Sequence, residues 1–155
     1  MIRFHYFPNK TKDLTSILDI FKSIEDSIDS TKAVQHKNDV LSLLKEKLET
    51  MNFTLKQKVS VLDGKQFSVD AVNKNDKIVI KIEAGRAVVN NEFLKDIVEC
   101  SLMLNVEYLV LAVCNVYKMK TGENYDFEYC YNFINTIYNS DRVSLSLKSI
   151  LLIGY

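Results

Sequence analysis

Asp70, Lys81 and Glu83 are the residues whose types and spacing can act together. They lie in Phe67 to Glu83, FSVDAVNKNDKIVIKIE, which reads as two short strands joined by a polar turn. Asn73-Lys74-Asn75-Asp76 supplies the turn, because Asn and Asp tolerate left-handed backbone and bond to it locally. Successive side chains of a strand point to opposite faces, so Ile78, Ile80 and Ile82 share one face. Lys81 and Glu83 share the other, about 7 Å apart along the strand. Asp70, near the end of the preceding strand, can face the same cleft. One carboxylate from each strand beside a lysine is a set that suits a hard cation and phosphodiester chemistry.

The elements around that hairpin follow from periodicity. A strand over Ile2 to Phe7 is halted by Pro8. Leu14, Ile17, Leu18, Phe21, Ile24 and Ile28 repeat at helical spacing, predicting an amphipathic helix over 13–28. A second helix is predicted from Asn38, a good cap, to Met51, with Asn52 as its left-handed stop. Phe53 to Leu62 reads as a strand, and Asp63-Gly64 is a strong hairpin signal. Phe53 to Glu83 is therefore expected to be a three-strand antiparallel meander. Gly85-Arg86 opens a loop. A third helix is predicted from Asn90 or Asn91 to about Leu104, burying Phe93, Leu94, Ile97, Val98, Ser101 and Leu102. Tyr108 to Cys114, almost wholly apolar, suits a central strand parallel to Ile78–Glu83. Thr121 to Asn124 reads as a turn, Asp126 to Asn139 as a last helix, and Leu147 to Ile153 as a final strand beside Tyr108–Cys114.

Composition bounds the alternatives. At 155 residues with 47% hydrophobic side chains, the chain is expected to form one domain with a sizeable core. Twenty basic and twenty acidic residues give zero formal charge, so any nucleic-acid affinity must come from local patches. No run of 18 apolar residues is present, so no transmembrane helix is expected. Met1 to Tyr6 lack the plan of a signal peptide, and a cytoplasmic location is the expectation. Cys100, Cys114 and Cys130 form no CxxC pair, which argues against zinc and for free, core-packed thiols. His5 and His36 have no partner at ligand spacing. No Ser-His-Asp arrangement, Walker loop or GxGxxG occurs.

The order helix, three-strand meander, helix, strand, with Asp70 on the second strand and charged residues on the third, resembles the PD-(D/E)xK nuclease superfamily. The stretch VDAVNKNDKIVIKIEAGRAVVNNEFLKDIVECSLMLNVEYLVLAV is more particularly similar to BglII- and BamHI-type restriction endonucleases. The resemblance spans about Asn38 to Val116. It implies an α/β, restriction endonuclease-like three-layer sandwich whose mixed central sheet is flanked by helices. It also implies Mg²⁺-dependent cutting of DNA by carboxylates from strands two and three, usually by a homodimer.

By position, Asp70 matches the strand-two Asp, Lys81 stands where the family's metal-binding Glu stands, and Glu83 stands where its Lys, Glu or Gln stands. The order is Lys-x-Glu, reversed from Glu-x-Lys, and Val69 replaces the proline. Two arrangements follow. In one, Asp70 and Glu83, with Glu46 or Glu49 from the preceding helix, hold the metal while Lys81 and Arg86 approach phosphate. In the other, Lys81 pairs with Asp70 or Glu83 as a structural ion pair, and the chain is an inactive module for nucleic-acid or protein binding. Glu46 and Glu49 equally suit an exposed helix face, and Arg86 a solvated loop. Tyr125, Tyr129, Tyr131 and Tyr138 can stack on bases or a partner, or pack into the core and its rim.

Overall fold

Three nearly uninterrupted apolar runs form the middle of the sheet. In the computed structural model, which describes residues 1–155, the strands are β1 (Arg3–Phe7), β2 (Thr54–Ser60), β3 (Gln66–Asn73), β4 (Ile78–Glu83), β5 (Tyr108–Val113), β6 (Tyr117–Met119), β7 (Gly122–Asn124) and β8 (Ser149–Gly154). The helices are α1 (Thr15–Ser23), α2 (Glu25–Ile28), α3 (Lys37–Thr50), α4 (Glu92–Leu102) and α5 (Asp126–Ser140). The main sheet has six strands in the order β1-β8-β5-β4-β3-β2. β4, β5 and β8 run parallel, and β1, β3 and the outer β2 pair antiparallel. β6 and β7 make a separate small hairpin where only a turn was expected.

Each strand contributes to two cores because its side chains alternate. Ile78, Ile80 and Ile82 join Val110, Ala112, Leu151 and Ile153 beneath Phe21 of α1 and Leu41, Leu44 and Leu48 of α3. Val79, Leu109, Leu111, Ile150 and Leu152 meet Phe93, Ile97 and Cys100 of α4 and Phe127, Cys130 and Ile134 of α5 on the opposite face. The result is the expected α/β three-layer sandwich with a mixed central sheet. Ile80 and Ile82 are fully buried, so truncating either to Ala should cost about 2–5 kcal/mol.

Several boundaries differ from expectation for local reasons. The helix expected over 13–28 breaks at Ile24, whose backbone leaves helical torsions, just after Ser23 donates its hydroxyl to the Ile20 carbonyl. α3 begins at Lys37, ahead of Asn38, with His36 at its cap making no side-chain bond. Asn52 does take the left-handed stop, at φ 63°. Asp63 and Gly64, at φ 65° and 71°, turn β2 into β3. In the next turn the left-handed residue is Lys77, at φ 59°, while Asn73 braces the turn with its side chain. The Asn73 side-chain Oδ1 accepts from the Asp76 backbone N–H, and its Nδ2 donates to the Met51 carbonyl and to Asp76 Oδ2.

α4 is the larger correction. Its inward side carries Phe93, Asp96, Ile97 and Cys100, whereas Val98 and Leu102, expected to be buried, are 54% and 55% exposed. The helix is rotated so that an acidic residue faces the sheet. The three cysteines are free and buried, as expected. No helix is long and apolar enough to cross a membrane.

Candidate functional site

Asp70 stands where the sheet comes apart. β3 and β4 are in register at only three pairs: Asn73 with Ile78, Val72 with Val79, and Ala71 with Ile80. Beyond Ala71 the two strands splay. The Ile82 amide, left without a β3 carbonyl, donates instead to Asp70 Oδ2 at 2.7 Å. The distortion continues across β2, where Lys56, opposite Asp70, takes φ 52° between the Leu55–Ala71 and Gln57–Val69 pairs.

Glu83 closes β4 on the same side of the splay. Its carbonyl accepts from the buried Tyr155 hydroxyl at 3.2 Å, which ties the end of β4 to the end of the chain. Gly85 follows at φ 97°, with the Tyr117 ring against the place a Cβ would occupy, so only glycine fits this turn. The turn delivers Arg86, exposed, to an open pocket of about 390 Å³ that it lines with Lys37, Glu83, Ala84 and Glu92.

The two carboxylates converge on one cation. Lys37, in the first turn of α3, places Nζ 3.5 Å from Asp70 Oδ2 and 3.3 Å from Glu83 Oε1. The side chains of Asp70 and Glu83 are 14% and 10% exposed, and that of Lys37 is 37% exposed. The acidic pair is thus neither split across the sheet nor sealed beneath apolar packing.

Lys81 goes elsewhere. Its Nζ lies 2.9 Å from Asp96 Oδ1 of α4 and donates to the Ser68 carbonyl of β3 at 3.2 Å, bracing the splayed strands. Burial pushes its pKa down, but the Asp96 carboxylate outweighs that and the net direction is up, so Lys81 is a fixed ammonium. The ion pair anticipated with Asp70 or Glu83 is made with Asp96 instead. Asp96 Oδ2 has no hydrogen-bond partner while Glu83 is ionised, and a proton on Glu83 supplies one, which is part of why Glu83 holds its proton. Glu83 is raised to about 7, by burial first; Lys37 pulls against this, and the Asp96 carboxylate, within hydrogen-bond reach of Glu83, pushes with it.

The remaining expected residues are not brought to this cluster. Glu46 is exposed on α3, nine residues beyond Lys37 and so about 13 Å along the helix axis. Glu49 lines a different groove with Lys45, Phe53 and Lys56. Tyr131 and Tyr138 pack on Phe7, whereas Tyr125 and Tyr129 are 59% and 44% exposed. His5 packs between Phe7 and Tyr131.

Two members of the cluster, Lys37 and Asp96, were not singled out from sequence. Only Asp96 carried a signal. Lys37 precedes Asn38, the expected cap, so nothing in the sequence placed it in a helical first turn, where a cation opposes the macrodipole. Asp96 sits three residues after Phe93 and four before Cys100, on one helical face with both.

Two carboxylates meeting at one cation fit a Mg²⁺ site of the kind completed by water and substrate phosphate. No cluster of three or more His, Cys, Asp or Glu forms an all-protein cage.

No family model matches this chain, and no curated protein sequence matches it. Its fold is similar to that of the restriction endonuclease BglII, solved in complex with a DNA 16-mer. The TM-score is 0.66 over 99% of this chain and 75% of that one, at 8% sequence identity. The chain therefore has a restriction endonuclease-like fold.

Proposed function

We propose that this chain is a Mg²⁺-dependent endonuclease-like protein that hydrolyses DNA phosphodiester bonds at Asp70 and Glu83. The observation that carries the reading is the convergence of both carboxylates on the Lys37 ammonium beside an open pocket. Mg²⁺ held there supplies polarisation of the scissile phosphate and a more acidic water. Asp70 is oriented by the Ile82 amide, and Glu83 by the end of β4 that Tyr155 fixes. Arg86 offers a bidentate fork to a phosphate oxygen from the rim of the pocket. Lys81 positions Asp96 and β3 and does not itself reach the pocket. Two copies acting in a cytoplasmic setting would address the two strands of a duplex.

The test is nicking of supercoiled plasmid with Mg²⁺ or Mn²⁺. The wild-type chain is expected to nick, and Asp70→Ala or Glu83→Ala to fall to background with an unchanged circular dichroism spectrum. A wild type that cuts nothing with either metal overturns the reading.

One observation favours a second reading, an inactive module that binds nucleic acid or protein. The lysine nearest the family position is locked into the Lys81–Asp96 pair. A gel shift that weakens steeply with salt, without cleavage, would support it.

A further inference from the structure

We infer that Lys37 is a displaceable internal counter-ion: its ammonium holds the place between Asp70 and Glu83 that a divalent cation takes, and swings into the neighbouring pocket when one binds. The inference rests on the metal-binding reading of Asp70 and Glu83 given above.

The two lysines of the cluster are held differently. Lys81 is 11% exposed, 2.9 Å from Asp96 and bonded to the Ser68 carbonyl, so leaving would strand a buried carboxylate. Lys37 is 37% exposed and its contacts at 3.5 and 3.3 Å are longer than a tight charged hydrogen bond. It already lines the open pocket shared with Arg86 and Glu92, so a rotation of its flexible stem is enough to move the ammonium there.

It must move. Mg²⁺ draws carboxylate oxygens to about 2.0–2.1 Å, and an ammonium left between the same two oxygens would be repelled at contact distance. The position of Lys37 in its helix fits this role. A cation in the first turn of α3 is on the unfavourable end of the helix, and the two carboxylates are what offset that cost. Once displaced, Lys37 and Arg86 together present two cations to the pocket, where an incoming phosphate lies. Lys37 is then a positioning residue: metal affinity is set by competition with it.

The experiment uses the full chain without DNA, with Mn²⁺ as the probe and free Mn²⁺ read by electron paramagnetic resonance. Lys37→Met is expected to bind Mn²⁺ about fivefold more tightly than wild type, the upper end of what a competing, part-exposed ion pair withholds. Lys37→Arg, which keeps the charge, is expected to remain at the wild-type level. In the wild type, reductive methylation of Lys37 read by mass spectrometry should rise on adding Mg²⁺, while that of Lys81 stays low. This second readout does not depend on any variant folding. Equal Mn²⁺ affinity in wild type and Lys37→Met, with Lys37 methylation unchanged by Mg²⁺, overturns the inference alone. Absence of Mn²⁺ binding by all three chains overturns the nuclease reading and the inference with it.

Discussion

Glu83 and Asp126 are both buried carboxylates with raised pKa values, and only one belongs to a candidate site. Asp126 opens α5, is 1% exposed, and neither of its oxygens has a hydrogen-bond partner. Burial alone pushes it up to about 6. Glu83 reaches about 7, also by burial first, yet it does so against the pull of Lys37 and with Asp96 adding its charge. Around Glu83, charged groups arrive from α3, β3, β4 and α4 at the edge of a pocket. Around Asp126 none is bonded. Desolvation raises a carboxyl wherever it occurs. Convergence of several elements on one point is what makes Glu83, and not Asp126, the candidate.

That contrast can be broken most directly by activity. Glu83→Ala is expected to abolish plasmid nicking with Mg²⁺, whereas Asp126→Asn should leave the rate within about twofold, an amide filling the same space. Equal losses in both would erase the distinction.

Next in size is the loss of a cation. Lys81→Ala leaves Asp96 buried and unpaired, and urea denaturation should show a destabilisation of about 3–5 kcal/mol. The double variant Lys81→Met with Asp96→Leu should recover most of it, because the unpaired charge has gone. A cost below about 1 kcal/mol for Lys81→Ala would mean that water reaches Asp96.

The pH dependence sharpens the comparison further. Between about pH 4.5 and about 7 the folded chain keeps a proton on Glu83 that the unfolded chain has released, so stability falls as pH rises through that window. Asp126 acts in the same direction between about 3.8 and about 6. Glu83→Gln and Asp126→Asn should therefore each stabilise the chain at pH 8 relative to wild type, and by less at pH 4. Mg²⁺ should offset the penalty of ionised Glu83 in the wild type and do nothing for Asp126. Thermal melts at the two pH values, with and without Mg²⁺, read this out. Variants whose stability relative to wild type is the same at pH 4 and pH 8 would contradict the shifts.

The smallest effect is expected at Glu46. Glu46→Ala should change stability by less than about 0.5 kcal/mol and leave nicking intact, because the residue is exposed and away from the cluster. A large loss of nicking would return Glu46 to the site.

Much of the fold was legible because its signals are strong. The apolar runs of β4, β5 and β8, the Asp63-Gly64 turn and the alternation of β3 specify a meander joined to a parallel core. The site was legible only in part. Asp70 and Glu83 were picked out because one carboxylate on each of two adjoining strands suits a shared cation, although Lys-x-Glu at a strand end is also the pattern of a solvated edge. Lys37 was hidden because its partners are distant in sequence, so only tertiary structure reveals why it tolerates the wrong helix end. Asp96 was hidden because counting apolar positions alone rotates α4 toward Val98 and Leu102. Its inward turn depends on a lysine supplied by β4.

The three-rung ladder between β3 and β4 has a last consequence, for exchange with solvent. The Ile82 amide is sheltered by a carboxylate, where its neighbours further down the strand are sheltered by peptide carbonyls. Its hydrogen should trade with deuterium at a pace set by whether Asp70 stays at its post. A single backbone proton thus becomes a reporter of whatever occupies the fork.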